Sequence, residues 1–118
     1  MSTLLTVLLV ALGAAVGAPL RYVLALALDA RFPTGMLLVN TLGSGLFGVF
    51  AALSLGDAGW ALLGTGFCGA FTSFSTFAVQ SVERSARAAT AYVLATTVLA
   101  VGACALGWML ATRLDGVG

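Results

Sequence analysis

The chain has 118 residues, of which 61% are hydrophobic and 8% charged, with a net charge of +1 and no histidine. Soluble domains contain about 25% charged residues, so this composition excludes a soluble globular protein and the basic surface of a nucleic-acid-binding one. The two cysteines lie within apolar segments, which is not typical of a disulfide framework or a metal cluster. We expect an all-α integral membrane protein that forms a single domain over residues 1 to 118.

Four apolar segments long enough to span a bilayer follow one another along the chain. They cover about residues 3 to 27, 34 to 55, 60 to 81 and 88 to 112, and a helix needs about 20 residues to cross the hydrocarbon core. The first segment lacks the basic region of a signal peptide, so we expect it to be retained. Because only helices satisfy the backbone within such segments, the sequence predicts four transmembrane helices with both termini on one side.

The first two segments carry glycines at helical spacing. Gly13 and Gly17 form a GxxxG motif, and Gly43, Gly45 and Gly48 lie along the second segment. Small residues at this spacing allow helix backbones to approach closely. We therefore predict tight packing between helices, within the chain and between subunits.

Two polar side chains in these segments are costly inside a membrane. Arg21 lies within the first span, and a centred Arg costs about 2.5 to 3.5 kcal/mol on insertion scales. We expect it to extend towards the interface, and an anion-attracting vestibule is the alternative. Asn40 needs hydrogen-bond partners or a wet cavity, so contacts between helices and the lining of a pathway are both open.

The third segment contains the sequence GFCGAFTSFSTF at residues 66 to 77. Gly66 and Gly69 predict that the helix opens just before the four hydroxyl residues, and the carbonyl oxygens released there suit a hard cation. Phe71, Phe74 and Phe77 recur every three residues, a spacing that is typical of core packing. Hydroxyl groups and the positive edges of phenyl rings also suit a small anion.

The span centres contain no Asp, Glu, His or Lys. Acid–base chemistry and proton-coupled export therefore lack the groups on which they depend, and we do not expect an enzyme. A small multidrug-type exporter shares the size and the four spans but needs a carboxylate in the first span. A membrane scaffold that does not conduct ions is the third alternative.

Three motifs in the same order resemble the CrcB/Fluc family of fluoride channels. GAAVGAPLRY at 13 to 22 is similar to GGxxGAxxRY, GMLLVNTLGSGLFG at 35 to 48 to GTLxVNxxGxFxxG, and GFCGAFTSFSTF to GxxGGxTTFSTF. The resemblance covers nearly the whole chain. It implies an antiparallel, dual-topology homodimer in the inner cell membrane, with two pores through which fluoride leaves the cell passively and fluoride toxicity is relieved.

The resemblance also assigns roles to individual residues. A central structural Na⁺ would be held by the main-chain carbonyls of Gly69 and Thr72 from both protomers. Arg21 and Gln80 would lie on the access route to the pore. The residues implied at the fluoride pore are Asn40, Phe74, Ser75, Thr76, Phe77, Tyr92 and Thr96.

Several positions depart from the family pattern. Met36 replaces a threonine, Gln80 replaces an acidic residue, and Ser73 replaces a threonine. These changes affect the polar route to and from the phenylalanines, so conduction is slower or Gln80 supplies the donors itself. The few arginines outside the spans bias the loops after spans 1 and 3 towards the cytoplasm only weakly. A dimer of one chain and a dimer of two related chains both fit this bias.

Overall fold

The computed structural model describes residues 2 to 29 and 33 to 114, and all regular structure within these ranges is helical. Four helical segments are long and apolar enough to cross a membrane. They are Thr3–Leu28 (span 1), Thr34–Leu53 (span 2), Gly56–Val82 (span 3) and Ala86–Leu114 (span 4). The four predicted spans are thus confirmed. Arg31 is one of the arginines outside the spans on which the predicted topology depends, and it lies outside the described residues.

Span 3 begins at Gly56, earlier than expected from hydropathy. The chain reverses direction just before it, where Ser54 has φ 54° and Gly56 has φ 79°. Glycine adopts a left-handed φ at Gly56 without steric cost, whereas the side chain of Ser54 adds a steric cost at its own left-handed φ. The sequence GDAG that follows, although weakly apolar, therefore forms the first turn of the span.

Asp29 links the end of span 1 to the start of span 2. Its backbone N–H donates to the carbonyl of Ala25 at 2.9 Å, and its Oδ1 accepts from the N–H of Met36 at 3.1 Å. The first N–H groups of a helix have no partner within that helix. The Asp29 carboxylate supplies one and places negative charge at the positive end of span 2.

Span 3 is interrupted in its middle. It is a π-helix over Trp60–Cys68 and continues as an α-helix over Gly69–Phe71. A second α-helical part follows over Phe74–Val82. Between these parts Thr72 (φ −85°, ψ 161°) and Ser73 (φ −149°, ψ 108°) are extended. The predicted interruption is therefore present, within the hydroxyl residues themselves.

The glycines before the break have a different role from the one predicted. Gly69 is helical, with φ −60° and ψ −39°. A Cβ atom on Gly66 would lie 2.7 Å from the carbonyl oxygen of Val10, and one on Gly13 would lie 2.6 Å from the amide nitrogen of Phe67. The glycines at 13 and 66 therefore allow spans 1 and 3 to pack closely. The prediction of tight packing is confirmed within the chain.

Glycines also allow span 2 to pack closely against span 4. A Cβ atom on Gly48 would lie 2.9 Å from the carbonyl carbon of Cys104, and one on Gly45 would lie 3.6 Å from Cβ of Ala103. Spans 2 and 3 share a buried core of Met36, Val39 and Phe71. Of Phe71, Phe74 and Phe77, only Phe71 belongs to this core.

We predict that Gly48→Ala destabilises the protein while Gly102→Ala does not. The added methyl group at position 48 meets the backbone of Cys104, whereas no atom lies within 4 Å of a Cβ built on Gly102. Overpacking costs about 1–3 kcal/mol, and alanine is a better helix former than glycine by about 1 kcal/mol. Thermal unfolding of the purified variants in detergent measures the difference. Equal stability of the two variants would contradict the packing described here.

Candidate functional site

A groove of about 290 Å³ lies beside the interruption of span 3, between spans 2 and 4. We call it the break groove. Its polar lining residues come from three spans, and its apolar lining includes two phenylalanine rings and the small residues of span 4. The lining consists of Asn40, Ser44, Thr72, Ser73, Phe74, Phe77, Thr96, Thr97, Ala100 and Val101.

Asn40 holds the extended backbone at the break. Its Oδ1 accepts from the N–H of Ser73 at 2.9 Å, and its Nδ2 lies 3.4 Å from the Ser73 carbonyl oxygen, to which it donates. Because the Ser73 N–H is a donor, the oxygen of the amide must face it. Asn40 is 9% exposed and also lines the break groove. The expected contact between helices is therefore present, and the lining of a pathway stays a prediction for Asn40.

The hydroxyl of Ser73 caps the second part of span 3. Its Oγ accepts from the N–H of Thr76 at 3.1 Å and donates to Oγ1 of Thr76 at 2.9 Å. It also lies 3.4 Å from the hydroxyl of Ser75. Serine commonly supplies such a cap where a helix starts. Ser75 and Thr76, which the resemblance assigns to the pore, lie outside the lining of the break groove and belong to this cap.

The side chains of Asn40 and Ser73 each bind a backbone N–H group that would bind a backbone carbonyl in a continuous helix. In a continuous helix, the N–H of Ser73 would bind the carbonyl of Gly69, and the N–H of Thr76 would bind the carbonyl of Thr72. Both N–H groups are instead bound by side chains. Within the described part of the chain, no hydrogen bond reaches the carbonyl oxygens of Gly69 or Thr72.

Arg21 contacts the same region from span 1. Its Nη1 donates to the carbonyl oxygen of Ala70 at 3.2 Å. That carbonyl lies just before the break, so its usual helical partner, the N–H of Phe74, is displaced. Arg21 therefore turns towards span 3, an arrangement that neither of the two expectations for this side chain included.

The three aromatic residues predicted at the pore differ in their surroundings. Phe74, directly after the break, is 79% exposed in the single chain, whereas Tyr92 is fully buried. The ring centroids of Phe74 and Phe77 lie 5.9 Å apart, and those of Phe77 and Tyr92 lie 5.1 Å apart. Both phenylalanines line the break groove and Tyr92 does not. Tyr92 supports the Phe77 ring from behind.

Thr96 lies in the break groove with a buried hydroxyl group. The residue is 7% exposed, and its Oγ1 has no hydrogen-bond partner among the described residues. Leaving a buried hydroxyl unpaired is costly. A molecule or ion that accepted a hydrogen bond from this hydroxyl would remove the cost.

Two further groove residues were missed by the sequence interpretation. Ser44 follows Asn40 by one helical turn, and Thr97 is adjacent to Thr96. The spacing of Asn40 and Ser44 was a usable signal, because residues four apart share one helix face.

Gln80 and Met36, the two departures from the family pattern, lie outside the lining of the break groove. Gln80 donates from Nε2 to Asp29 at 3.1 Å and accepts from the hydroxyl of Tyr92 at 3.0 Å. Met36 is 1% exposed and packs in the core. The replacements at 36 and 80 therefore take part in packing and in a side-chain network.

We predict that Asn40→Ala destabilises the interruption of span 3. The substitution leaves the buried N–H of Ser73 without its partner, and an unpaired buried group costs about 1–3 kcal/mol. Thr97→Val is the matched control, because it changes a groove residue without removing a hydrogen bond between described residues. Thermal unfolding should separate the two variants, and an Asn40→Ala protein as stable as the control would contradict the role of Asn40.

Known proteins resemble this chain in sequence over most of its length. The family model described as CrcB-like protein, Camphor Resistance (CrcB), matches residues 8 to 108. The fluoride-specific ion channel FluC 2 of Rhodococcus jostii is 44% identical over 112 residues, covering 90% of this chain and 98% of the relative. The fluoride-specific ion channel FluC 1 of Thermobifida fusca is 46% identical over 111 residues, covering 87% and 92%. The chain therefore belongs to the CrcB family of multi-pass membrane proteins.

Proposed function

We propose that this protein is a fluoride-selective channel that lets fluoride leave the cell passively across the inner membrane. Its membership of the CrcB family and the names of its relatives support this function. Thr3–Leu28 contains no carboxylate, so the multidrug-type exporter lacks the group that it would need in span 1. Passive export would relieve the cell of fluoride that is trapped inside it.

The observation that carries the proposal is the buried, unpaired hydroxyl of Thr96 in the break groove. Thr96 lines this groove together with Asn40, Phe74 and Phe77. The Asn40 Nδ2 has two hydrogens, of which Ser73 uses one. Hydroxyl and amide donors together with ring edges can replace water around a small anion.

The proposed path would be completed by a second copy of the chain. Phe74 lines the groove and is 79% exposed in a single chain, so its ring has room to contact another protomer. The neighbouring groove along Gly43, Gly69 and Cys104 has a volume of about 470 Å³ and a mainly apolar lining. We propose that these surfaces meet in an antiparallel homodimer, with two fluoride paths at the interface.

The carbonyl oxygens of Gly69 and Thr72 fit the Na⁺ that the family resemblance implies. They have no donor among the described residues, because Asn40 and Ser73 bind the N–H groups that would have reached them. Carbonyl oxygens of interrupted membrane helices are suitable ligands for Na⁺. Contributed by both protomers, they would hold the ion at the dimer centre, where its charge would offset the repulsion between the carbonyl dipoles.

The proposed function can be tested in cells that are sensitive to fluoride. We expect expression of the protein to restore growth, and we expect Phe74→Ile and Thr96→Val to abolish or strongly reduce this rescue. Each variant removes a group that would replace water around the anion, while leaving the volume of the side chain similar.

Thr90→Val is the matched control, because Thr90 lies on span 4 and donates to the carbonyl of Ala86 on its own helix at 2.7 Å. The control should rescue growth fully. Absence of rescue by the unmodified protein at normal expression would exclude fluoride export. Full rescue by Thr96→Val and Phe74→Ile would exclude the break groove as the path.

The proposed dimer and its cation can be tested together with purified protein. We expect light scattering to give twice the mass of one chain, and thermal stability to fall when Na⁺ is replaced by choline, which is too large for a carbonyl site. Readdition of Na⁺ should restore the stability. A monomer mass, or the same unfolding temperature in both salts, would contradict the proposal.

A further inference from the structure

Asp29, Gln80 and Tyr92 form a chain of hydrogen bonds that links all four spans. Oδ1 of Asp29 accepts from the N–H of Met36 at 3.1 Å, and Oδ2 accepts from Nε2 of Gln80 at 3.1 Å. Oε1 of Gln80 then accepts from the hydroxyl of Tyr92 at 3.0 Å. The network joins the end of span 1, the start of span 2, the second part of span 3 and the beginning of span 4.

The carboxylate sets the direction of every bond in this network. An ionised carboxylate only accepts hydrogen bonds, so Gln80 must turn its NH₂ group towards Asp29. The carbonyl oxygen of Gln80 then faces Tyr92, and the tyrosine hydroxyl must donate to it. One charged group at the end of span 1 therefore fixes the orientation of two neutral side chains on spans 3 and 4.

The network ends at the aromatic lining of the break groove. Tyr92 is fully buried, and its ring centroid lies 5.1 Å from that of Phe77. Gln80 follows Phe77 by three residues on the same helix, so the two side chains are neighbours on one helix face, and the Tyr92 that Gln80 binds packs against the Phe77 ring. Neither Gln80 nor Tyr92 lines the groove, which makes direct contact of these side chains with an ion in the groove a poor explanation of their arrangement.

We infer that Asp29 is a positioning residue for the fluoride path: its carboxylate orients Gln80 and Tyr92, and these hold the Phe77 ring at the break groove. This inference rests on the proposed function. Gln80 and Asp29 together provide one amide and one carboxylate joined by a hydrogen bond. The negative charge can lie at position 29 or at position 80, provided that one side chain of the pair donates to the other and that Tyr92 still has an acceptor.

The two single substitutions disturb the network in different ways. In Asp29→Asn, the amide oxygen still accepts from the N–H of Met36, so its NH₂ group faces Gln80. Gln80 must reverse, and its own NH₂ group then faces Tyr92, whose hydroxyl becomes an acceptor. In Gln80→Glu, two carboxylates lie side by side and repel each other.

The double substitution Asp29→Asn with Gln80→Glu should restore the original pattern. The Asn oxygen accepts from Met36, the Asn NH₂ group donates to one Glu oxygen, and the Tyr92 hydroxyl donates to the other. The total charge and the direction of the bond from Tyr92 are the same as in the unmodified protein. This variant therefore separates the proposed orienting role from any effect of changing either position alone.

The test is fluoride efflux from liposomes that contain each purified variant. We expect each single substitution to slow efflux about tenfold, and the double substitution to return it to within about threefold of the unmodified protein. Asp57→Asn is the matched control, because Asp57 is an exposed carboxylate outside this network, and it should leave efflux unchanged. Efflux from Asp29→Asn equal to that of the control, or a folded double variant no faster than the slower single variant, would overturn the inference.

A second measurement follows the orientation itself. In a Tyr22→Phe background, Tyr92 is the remaining tyrosine, and its resonance Raman doublet distinguishes a phenol that donates from one that accepts. We expect a donor in the unmodified and double variants and an acceptor in Asp29→Asn. A donor signature in all three would overturn the inference, whatever the stability of the variants. Absence of efflux from the unmodified protein would instead overturn the proposed function.

Discussion

The interruption of span 3 is the constraint on which the rest of the site depends. Backbone groups inside a membrane must be satisfied by the protein, by water or by an ion. Asn40 and the hydroxyl of Ser73 bind two of the N–H groups displaced at the break, and Arg21 binds one displaced carbonyl. The carbonyls of Gly69 and Thr72 remain without a donor among the described residues. The side chains thus decide which atoms are left for a ligand.

This arrangement explains how groups that favour a cation and groups that favour an anion can lie close together. Carbonyl oxygens favour a cation, whereas the Thr96 hydroxyl, the Asn40 amide and the ring edges favour an anion. Asn40 belongs to both sets, because its oxygen binds the N–H of Ser73, which leaves the Gly69 carbonyl without that donor, and because the residue also lines the break groove. The structural part and the conducting part of the proposed channel therefore depend on the same side chain.

The four spans and the polar residues near the break could be predicted from the sequence, because polar groups are costly to bury in a membrane and therefore stand out in an apolar segment. Hydropathy located the four spans, and Asn40 and the cluster of hydroxyls indicated the region in which span 3 is interrupted. The position of the break was less predictable, since a glycine serves equally for opening a helix and for close packing, as Gly66 does against span 1. The bond between Asp29 and Gln80 had no signal, because it joins residues 51 positions apart. The capping role of Ser75 and Thr76 likewise depends on where the helix restarts.

The proposed function is conduction of fluoride in preference to larger anions. The most direct measurement is the efflux of fluoride and of chloride from liposomes containing the unmodified protein, recorded with ion-selective electrodes under the same gradient. The account predicts rapid fluoride efflux and chloride efflux no faster than that from protein-free liposomes. Equal rates for the two anions, or fluoride retained as in protein-free liposomes, would contradict it.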